Sequence, residues 1–262
     1  MSKHDEREYC ITETDGHVLT VTINRPDVMN SLHPAANAEL GEVFDAFAAD
    51  DDLWVAIITG AGERAFSAGN DLKYQAGGGK RSPMPRGFGG LTSRFDLTKP
   101  VIAAVNGVAM GGGFEIALAC DLIVASEKAV FALPEPRVGL AALAGGLHRL
   151  PRQIGTKAAM GMILTGRRVD AAEGERLGFV NEVTPADAVM DRARAWAALI
   201  CECAPLSIRA SKEVAYDGLA HASLEEAMGA DYPGVRAMVE SEDFVEGPKA
   251  FAEKRAPDWK GR

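Results

Sequence analysis

The sequence lacks the features that would place the chain in or across a membrane. Its longest uncharged stretch lies at residues 101–114, which is shorter than the about 20 apolar residues that a membrane-spanning helix needs. Residues 1–9 are rich in charge and contain no apolar run, so they predict neither a secretory signal nor a transit peptide. We therefore expect a cytoplasmic protein with no membrane partner.

Cysteine and histidine are too few and too scattered for a disulfide framework or a transition-metal site. The four cysteines stand at positions 10, 120, 201 and 203 and form no Cys-x-x-Cys pair. The five histidines are isolated from one another, and no His-Glu-x-x-His occurs. These patterns predict reduced thiols and no bound metal.

Positive charge is also scarce. The 262-residue chain has 28 Lys and Arg residues against 37 Asp and Glu residues, which gives a net charge of −9. Proteins that bind nucleic acid need a basic face that releases counterions, so we expect no nucleic-acid partner. The length and the 47% hydrophobic content allow one large core, because a single α/β unit can reach roughly 250 residues.

The periodicity of apolar residues predicts an α/β fold. Two alternating runs flank Asp15-Gly16, which is a strong hairpin signal. Further strands are predicted at residues 53–59, 100–105 and 122–125, and helices at 34–49 and 112–119. This alternation favours parallel strands, whereas helical patterns dominate after about residue 145. We divide the chain into an α/β core at residues 1–200 and a helical C-terminal region at residues 201–262.

Residues 77–90 are unusual because they combine glycine and proline with positive charge. The segment contains Lys80, Arg81 and Arg86 and no acid, in a chain that is acidic overall. Glycine and proline at this density predict a mobile loop or lid. The basic side chains indicate either a flap that meets an anionic ligand or a solvated connector whose charges keep it soluble.

Several glycine motifs come close to known nucleotide and hydrolase patterns without matching them. Tyr74 stands where a phosphate loop ending at Gly79-Lys80 would need its first glycine. Ala65 stands where a Gly-x-Ser-x-Gly elbow would begin. Gly111, Gly112 and Gly113 open a predicted helix without the dinucleotide spacing. These mismatches argue against a nucleotide cofactor and a serine-hydrolase mechanism.

Two glycine-bearing turns, at residues 62–72 and 105–115, each follow a predicted strand. Two main-chain N–H groups from such turns can converge on one carbonyl oxygen as an oxyanion hole. Small residues are needed there because a Cβ would block the approach of a substrate. The sequence therefore predicts a site for an activated carbonyl group.

Two glutamates accompany these turns. Glu115 lies in the first turn of the predicted helix, and Glu135 lies between Pro134 and Pro136. Two acids beside one polarised carbonyl could share a water, one taking its proton while the other protonates carbon. Taken singly, each has a plainer interpretation, because the helix dipole alone favours Glu115 and Pro-Glu-Pro could be an exposed loop.

Taken together, these motifs resemble the crotonase superfamily, and specifically its enoyl-CoA hydratase/isomerase group. The segments that carry the resemblance are residues 24–26, 30–32, 65–72, 100–115, 120–121 and 131–139, with weaker matches through 145–180 and 251–260. The resemblance implies a crotonase-like spiral of ββα units, followed by a helical C-terminal trimerisation region. It also implies a homotrimer, or a homohexamer formed as a dimer of trimers.

The resemblance further implies a substrate and a mechanism. The substrate would be an acyl-CoA thioester held by the N–H groups of Ala68 and Gly112, with no cofactor because coenzyme A is part of the substrate. Glu115 would activate water and Glu135 would protonate the α-carbon. We therefore predict an enoyl-CoA hydratase. The alternatives within the family are an enoyl-CoA isomerase, which Asn70 keeps open, and a specialised acyl-CoA dehydratase, for example of the carnitinyl-CoA type.

The same resemblance suggests which residues contact the CoA and acyl parts of the substrate. Leu143 stands where many hydratases have a Pro-Gly pair, so the acyl pocket should be smaller or differently shaped. The basic tail after residue 249 is a candidate for the adenine end of CoA, in place of the plainer interpretation that its cations favour a helix end. The full set of predicted contact residues is Arg25, Val28, Ser67, Asp71, Leu72, Leu143, Phe251 and Lys254.

Overall fold

The computed structural model describes residues 3–80 and 82–262. The strands are β1 Lys3–Glu6, β2 Cys10–Asp15, β3 Val18–Ile23, β4 Val55–Gly60, β5 Ala65–Ser67, β6 Val101–Val105, β7 Val108–Met110, β8 Leu122–Ser126, β9 Val130–Ala132, β10 Val169–Asp170 and β11 Glu182–Thr184. The helices are α1 Pro34–Ala49, α2 Leu72–Ala76, α3 Gly112–Ala119, α4 Gly146–Ile154, α5 Thr156–Thr165, α6 Ala171–Leu177, α7 Val189–Cys201, α8 Pro205–Gly218, α9 Leu224–Gly229, α10 Pro233–Val239 and α11 Glu242–Glu253. Short 3₁₀ turns lie at Pro26–Val28, Phe88–Gly90 and Glu135–Val138.

The described strands form two sheets. The larger sheet has the order β1-β2-β3-β4-β6-β8-β11, and its strands from β3 onward run parallel. The smaller sheet has the order β10-β9-β7-β5, and β5, β7 and β9 run parallel within it. The predicted hairpin at Asp15-Gly16 is confirmed by the antiparallel pairing of β2 with β3.

The chain alternates between these two sheets in a repeated ββα pattern. Strand β4 of the larger sheet leads to β5 of the smaller sheet and then to α2; β6 leads to β7 and α3 in the same way. Strand β8 leads to β9 and then to the 3₁₀ turn Glu135–Val138 and α4. Because each short strand pairs with the next short strand, the turns that follow β5, β7 and β9 are stacked side by side.

Burial explains why these segments form the centre of the molecule. Every residue of β4 and β6 is buried, because the sheet is covered on both faces. Helix α7 packs on one face through Val189, Ala193 and Ala197. The other face belongs to the main core, which includes α1 and α3. The predicted α/β fold with parallel strands is confirmed.

The C-terminal part is helical, as predicted. Helix α8 packs against α7 and α10, and the tail folds back so that the main-chain N–H groups of Lys260 and Gly261 donate to Asp243. Helix α7 ends at Cys201, one residue beyond the proposed boundary. The division into residues 1–200 and 201–262, and the role of the C-terminal region in trimerisation, stay predictions.

The interpretation of residues 77–90 as one mobile loop is wrong for the end of the segment. Phe88, Gly89 and Gly90 are buried, and Arg86 is paired with Asp45 at 2.9 Å, so Arg86 is not a free charge for a ligand. Lys80 is exposed, and Arg81 lies outside the described residues.

Across residues 3–80 and 82–262, no helix combines the length and the apolar character needed to cross a bilayer.

Candidate active site

The two glycine-bearing turns meet because β5 and β7 pair in parallel. A Cβ on Gly69 would lie 2.6 Å from the carbonyl oxygen of Met110 and 2.8 Å from the main-chain nitrogen of Gly112. Gly69 also has a φ of +84°, which side chains rarely allow. Only glycine at this position lets the turn after β5 lie directly against the start of α3.

The structure corrects one of the two predicted oxyanion donors. The N–H of Ala68 donates to the carbonyl oxygen of Met29 at 2.9 Å, so it is already used inside the protein and the prediction for Ala68 is wrong. The adjacent N–H of Gly69 donates to the hydroxyl oxygen of Ser67 at 3.1 Å. The next N–H along the chain, that of Asn70, takes the place assigned to Ala68.

A bridge to Leu32 orients the main-chain N–H of Asn70. Leu32 and Asn70 form an isolated parallel bridge, in which Leu32 N–H donates to Gly69 at 2.8 Å and Asp71 N–H donates to Leu32 at 3.1 Å. In such a bridge the residue between the two bonded neighbours, here Asn70, directs its own N–H away from Leu32. Among the described residues this N–H has no acceptor, so it is free to bind a ligand.

Gly112 supplies the second N–H. It is the first residue of α3 and follows Gly111 at the N-cap, where main-chain N–H groups have no partner within the helix. The face of the Phe88 ring covers its Cα, because a Cβ on Gly112 would lie 2.5 Å from Cε1 of Phe88 and 2.8 Å from both Cδ1 and Cζ. The N–H of Gly112 is thereby held beside Gly69 and Asn70.

Glu115 lies one turn into α3 and is 3% exposed. Its Oε1 accepts the main-chain N–H of Gly146, the first residue of α4, at 2.9 Å. The pKa of Glu115 is raised to about 7, chiefly by burial and also by the nearby Glu135 carboxylate, against the opposing effects of the N–H groups of Gly146 and Ala144 and the charge of Arg149. Glu115 can therefore exchange a proton near neutral pH.

Glu135 begins the 3₁₀ turn that follows β9. A Cβ on Gly111 would lie 2.7 Å from Oε1 of Glu135, so this carboxylate lies directly beside the turn that carries Gly112. Its Oε2 is buried without a hydrogen-bond partner among the described residues, and burial raises the pKa of Glu135. The plain alternative of an exposed Pro-Glu-Pro loop does not fit this buried carboxylate.

The site thus brings together two unpaired main-chain N–H groups, the buried Glu115 and the half-buried Glu135, whose Oε2 is out of contact with solvent. Asn70 and Gly112 can donate to one anionic oxygen; Glu135 lies against Gly111, and Glu115 lies one turn into the same helix that Gly112 begins. Such a set can stabilise an enolate and move protons at the neighbouring carbons. Among the described residues, no group of three or more His, Cys, Asp or Glu side chains is arranged to bind a metal ion.

Three of the predicted substrate contacts have structural roles. Ser67 is fully buried, and its hydroxyl donates to the carbonyl oxygen of Asn30 at 2.8 Å, so the prediction for Ser67 is wrong. Asp71 caps α2 by accepting the N–H of Tyr74 and pairs with Arg25 at 3.2 Å. Both side chains of this pair are largely buried and support the turn, and contact of Arg25 and Asp71 with substrate stays a prediction.

The remaining predicted contacts are exposed apolar or basic side chains. Val28 and Leu72 flank the turn that carries Asn70, and Leu143, which is 81% exposed, precedes the Gly145-Gly146 turn next to Glu115. Phe251 and Lys254 are exposed at the end of α11. Contact of these five residues with substrate stays a prediction.

A small apolar cleft adjoins the acids. It has a volume of about 160 Å³. Leu133 connects it to the site, because a Cβ on Gly146 would lie 3.1 Å from Oε1 of Glu115 and 3.2 Å from Cδ1 of Leu133. The residues that line the cleft are Leu133, Pro136, Ala141, Ala142, Leu147, Ile163 and Leu164.

Sequence reasoning missed Asn70 as a donor, Phe88 as the support of Gly112, and Gly146 as the partner of Glu115. The bridge that orients Asn70 joins residues far apart in the chain, and no local pattern marks it. The Gly145-Gly146 pair was noted only as a weaker part of the resemblance. Its position before a helical segment is a signal that could have identified an N–H donor for a carboxylate.

Comparison with known proteins identifies the family of the chain. Residues 13–262 match the model of the enoyl-CoA hydratase/isomerase family. The chain is 48% identical over 256 residues to a carnitinyl-CoA dehydratase of Citrobacter koseri, covering 94% of this chain and 96% of that protein.

Solved structures give the same result. The enoyl-CoA hydratase of Mycobacterium tuberculosis H37Rv superposes with a TM-score of 0.92 at 38% identity, covering 98% of this chain and all of that one. The carnitinyl-CoA hydratase of Mycobacterium avium superposes with a TM-score of 0.77 at 41% identity, with the same coverage. The chain therefore belongs to the enoyl-CoA hydratase/isomerase family of the crotonase superfamily and has its fold.

Proposed function

We propose that this chain is a hydro-lyase that removes water from, and adds water to, a short acyl-CoA of the carnitinyl-CoA type. The observation that carries the proposal is the pair of neighbouring acids, buried Glu115 and half-buried Glu135, close to the unpaired main-chain N–H group of Gly112. The 48% identity to a carnitinyl-CoA dehydratase over nearly the whole chain favours this substrate class over an unsubstituted enoyl-CoA, and thus the alternative over our first prediction.

The proposed reaction begins with the thioester oxygen in the oxyanion hole. The N–H groups of Asn70 and Gly112 donate to this oxygen and stabilise the enolate that forms when the α-carbon loses a proton. Loss of one such donor typically costs about 2.7 to 4 kcal/mol in the barrier. The thioester itself accepts the electrons, so we propose that no cofactor takes part.

The two acids divide the proton transfers. In dehydration, ionised Glu135 takes the proton from the α-carbon, and protonated Glu115 donates to the hydroxyl group at the β-carbon as it leaves as water. Hydration runs through the same steps in reverse. Glu115 is the more deeply buried of the two acids, which favours the shared proton on Glu115 and so prepares the site for dehydration.

We expect the pH dependence of kcat/KM to report this shared proton. The site needs one proton between the two acids, so activity should fall as pH rises through about 7, the pKa of Glu115, because the last proton is then lost. It should also fall at low pH, where Glu135 is protonated as well. The profiles for dehydration and hydration should have the same shape, since the net reaction takes up no proton. A rate that keeps increasing to pH 9 would contradict the assignment.

A second candidate is an enoyl-CoA hydratase for unsubstituted acyl chains. The small cleft beside Glu135 is lined by apolar side chains, and the M. tuberculosis enoyl-CoA hydratase superposes closely. An apolar cleft suits a short hydrocarbon chain better than the trimethylammonium group of a carnitinyl thioester. The measured preference between the two thioester substrates therefore decides between the two candidate functions.

The deciding experiment compares thioesters that differ only at the γ-carbon. Carnitinyl-CoA and 3-hydroxybutyryl-CoA would be incubated with the purified chain, and formation of the conjugated 2-enoyl thioester followed by its absorbance. We expect kcat/KM for carnitinyl-CoA to be higher by at least about tenfold, which corresponds to 1.4 kcal/mol. Preference for 3-hydroxybutyryl-CoA would favour the unsubstituted hydratase. Migration of the double bond of a 3-enoyl-CoA, without water addition, would indicate an isomerase.

We also propose that the chain assembles as a homotrimer or homohexamer. Large apolar side chains are exposed on α9 and α11, among them Leu224, Met228, Val245 and Phe251. Exposed apolar surface on neighbouring segments of a helix is typical of protein–protein contacts. Phe251 and Lys254 lie on this region, so contact between the tail and CoA, within one chain or across subunits, belongs to the same proposal. A cytoplasmic location and the lack of a nucleic-acid partner stay expectations.

A further inference from the structure

Arg149 is a half-buried cation to which the proposed reaction gives no role. It lies in α4, three residues after Gly146, and its guanidinium donates from Nη2 to the main-chain carbonyl oxygen of Thr92 at 2.9 Å. The side-chain hydrogen bond of Arg149 thus goes to an uncharged carbonyl group and not to a carboxylate. A guanidinium that is partly removed from water without a bound carboxylate carries a desolvation cost, so a further function for its charge is expected.

The guanidinium lies against the turn that holds Glu115. A Cβ on Gly145 would overlap Nη1 of Arg149, and Gly145 has a φ of +106°. The N–H of Arg149 also donates to the carbonyl oxygen of Gly145 at 2.8 Å. Gly145 directly precedes Gly146, whose N–H donates to Glu115 Oε1 at 2.9 Å. The Arg149 side chain therefore packs against the peptide that presents the hydrogen-bond donor to Glu115, in addition to the main-chain bond that the helix itself makes there.

The same side chain ties this turn to the support of the oxyanion hole. Thr92, which accepts from Arg149, also accepts the N–H of Phe88 through its hydroxyl at 2.7 Å. Phe88 in turn covers the Cα of Gly112. One guanidinium thus connects the position of the Glu115 carboxylate with that of the Gly112 N–H.

We propose that Arg149 is a positioning residue for the proton-transfer step: its guanidinium, bonded to Thr92 and packed against Gly145, supports the Gly145-Gly146 turn that faces Glu115 and places a half-buried positive charge near that carboxylate. The proposal rests on the proposed role of Glu115 as the group that protonates the leaving hydroxyl. A positive charge at this position stabilises the ionised form of Glu115 against the effect of burial. It also keeps the carboxylate in one orientation when the proton leaves.

The charged and titratable groups around this pair are few. Glu115 is faced by Glu135 from the turn after β9 and by Arg149 from α4. Arg149 is faced by Cys120 at the end of α3, by Tyr216 of α8 and by Glu115. Burial raises the pKa of both Cys120 and Tyr216, so these two groups are neutral near pH 7. Near neutral pH, removing Arg149 therefore changes the charge that Glu115 experiences without a compensating change nearby.

The test compares Arg149→Met and Arg149→Lys with a matched control on the same helix. Arg152→Met removes an exposed arginine one turn along α4, whose guanidinium donates to the carbonyl oxygen of His148. The pKa of Glu115 would be measured directly by ¹³C NMR of the labelled carboxyl group, with Glu115→Gln identifying the signal. The pH profile of kcat/KM would be recorded in parallel.

We expect Arg149→Met to raise the pKa of Glu115 by about one unit and to move the alkaline limb of kcat/KM by the same amount. Arg149→Lys should restore most of this shift, because it restores the charge, but not the full kcat, because an ammonium cannot hold Thr92 and the turn together in the same way. Arg152→Met should leave both quantities unchanged.

An unchanged Glu115 signal in Arg149→Met, with activity lowered equally at every pH, would overturn the proposal and leave Arg149 a purely structural residue. Because the NMR titration needs no turnover, this result is separate from failure of the proposed function, which would appear as an inactive natural sequence. Thermal unfolding of each variant would confirm that the compared proteins are folded.

Discussion

Replacing Glu115 or Glu135 by glutamine is expected to lower kcat for dehydration by about 10²- to 10⁴-fold in each case, the usual contribution of a placed acid or base. The substitution keeps the shape of the side chain. In Glu115→Gln the carbonyl oxygen can still accept the N–H of Gly146, so the turn at α4 should be retained. The loss therefore reports proton transfer rather than unfolding.

The two variants should differ in a second reaction. A saturated acyl-CoA cannot lose water, but its α-protons can exchange with solvent deuterium once the enolate is stabilised. We expect Glu115→Gln to keep this exchange, because Glu135 and the oxyanion donors remain, and Glu135→Gln to lose it. Mass spectrometry of the recovered thioester would measure the exchange.

Glu127→Gln is the matched control for both variants, because Glu127 is exposed in the turn between β8 and β9. It should have the rates of the natural sequence. A dehydration rate equal to that of the natural sequence in Glu115→Gln or in Glu135→Gln would contradict the two-acid mechanism. Exchange retained in Glu135→Gln and lost in Glu115→Gln would reverse the two roles.

The second large effect is expected for Gly69→Ala. The added methyl group would lie 2.6 Å from Met110 O and 2.8 Å from Gly112 N, and the positive φ of Gly69 adds backbone strain. The two turns must then separate, which displaces the N–H groups of Asn70 and Gly112 from a common oxygen. We expect kcat to fall by about 10²- to 10³-fold, the loss typical for one missing oxyanion donor.

Gly161→Ala provides the control for this substitution. Gly161 lies within α5, and a Cβ there meets no atom within 4 Å. Alanine should leave kcat unchanged and stabilise the helix by up to about 1 kcal/mol. Steady-state kinetics and thermal unfolding of both variants would make the comparison. Near-natural activity in Gly69→Ala would show that the two turns do not form the oxyanion hole.

The two acids and Gly112 could be named as candidate site residues because their motifs are local, and their action on a substrate stays a prediction. A glutamate in the first turn of a helix that opens with glycine is visible in the sequence, and so is a glutamate between two prolines. The structure adds what the motifs do not contain, namely the burial of both carboxylates and the hydrogen bond between Glu115 and Gly146. These features determine the proton affinities.

The second oxyanion donor could not be predicted correctly, because long-range pairing determines which N–H group is free. The bond from Ala68 to Met29 and the bridge between Leu32 and Asn70 both connect segments that are far apart in sequence. Ala68 and Asn70 are two residues apart, and in an extended segment residues at this spacing point to the same side. The local motif therefore does not show which of their two N–H groups is free.

Packing against α1 also explains why residues 88–90 are buried and do not form an open loop. Their glycines suggested a loop, but Gly90 lies so close to α1 that a Cβ would be 2.7 Å from Gly41 N, and the N–H of Gly89 donates to the side chain of Asn37 at 2.6 Å. Glycine here serves close approach of two segments rather than freedom of movement. Composition alone does not separate these two uses of glycine.

The contact between Gly111 and Glu135 limits how this protein can change over evolutionary time. Every single-base change that replaces glycine introduces a side chain with a Cβ, and at position 111 that atom would lie 2.7 Å from Oε1 of Glu135, on a residue whose φ is +53°. A substitution there must therefore displace the Glu135 carboxyl group and strain the backbone. We expect changes in acyl preference to be tolerated better in the surrounding walls than at this contact.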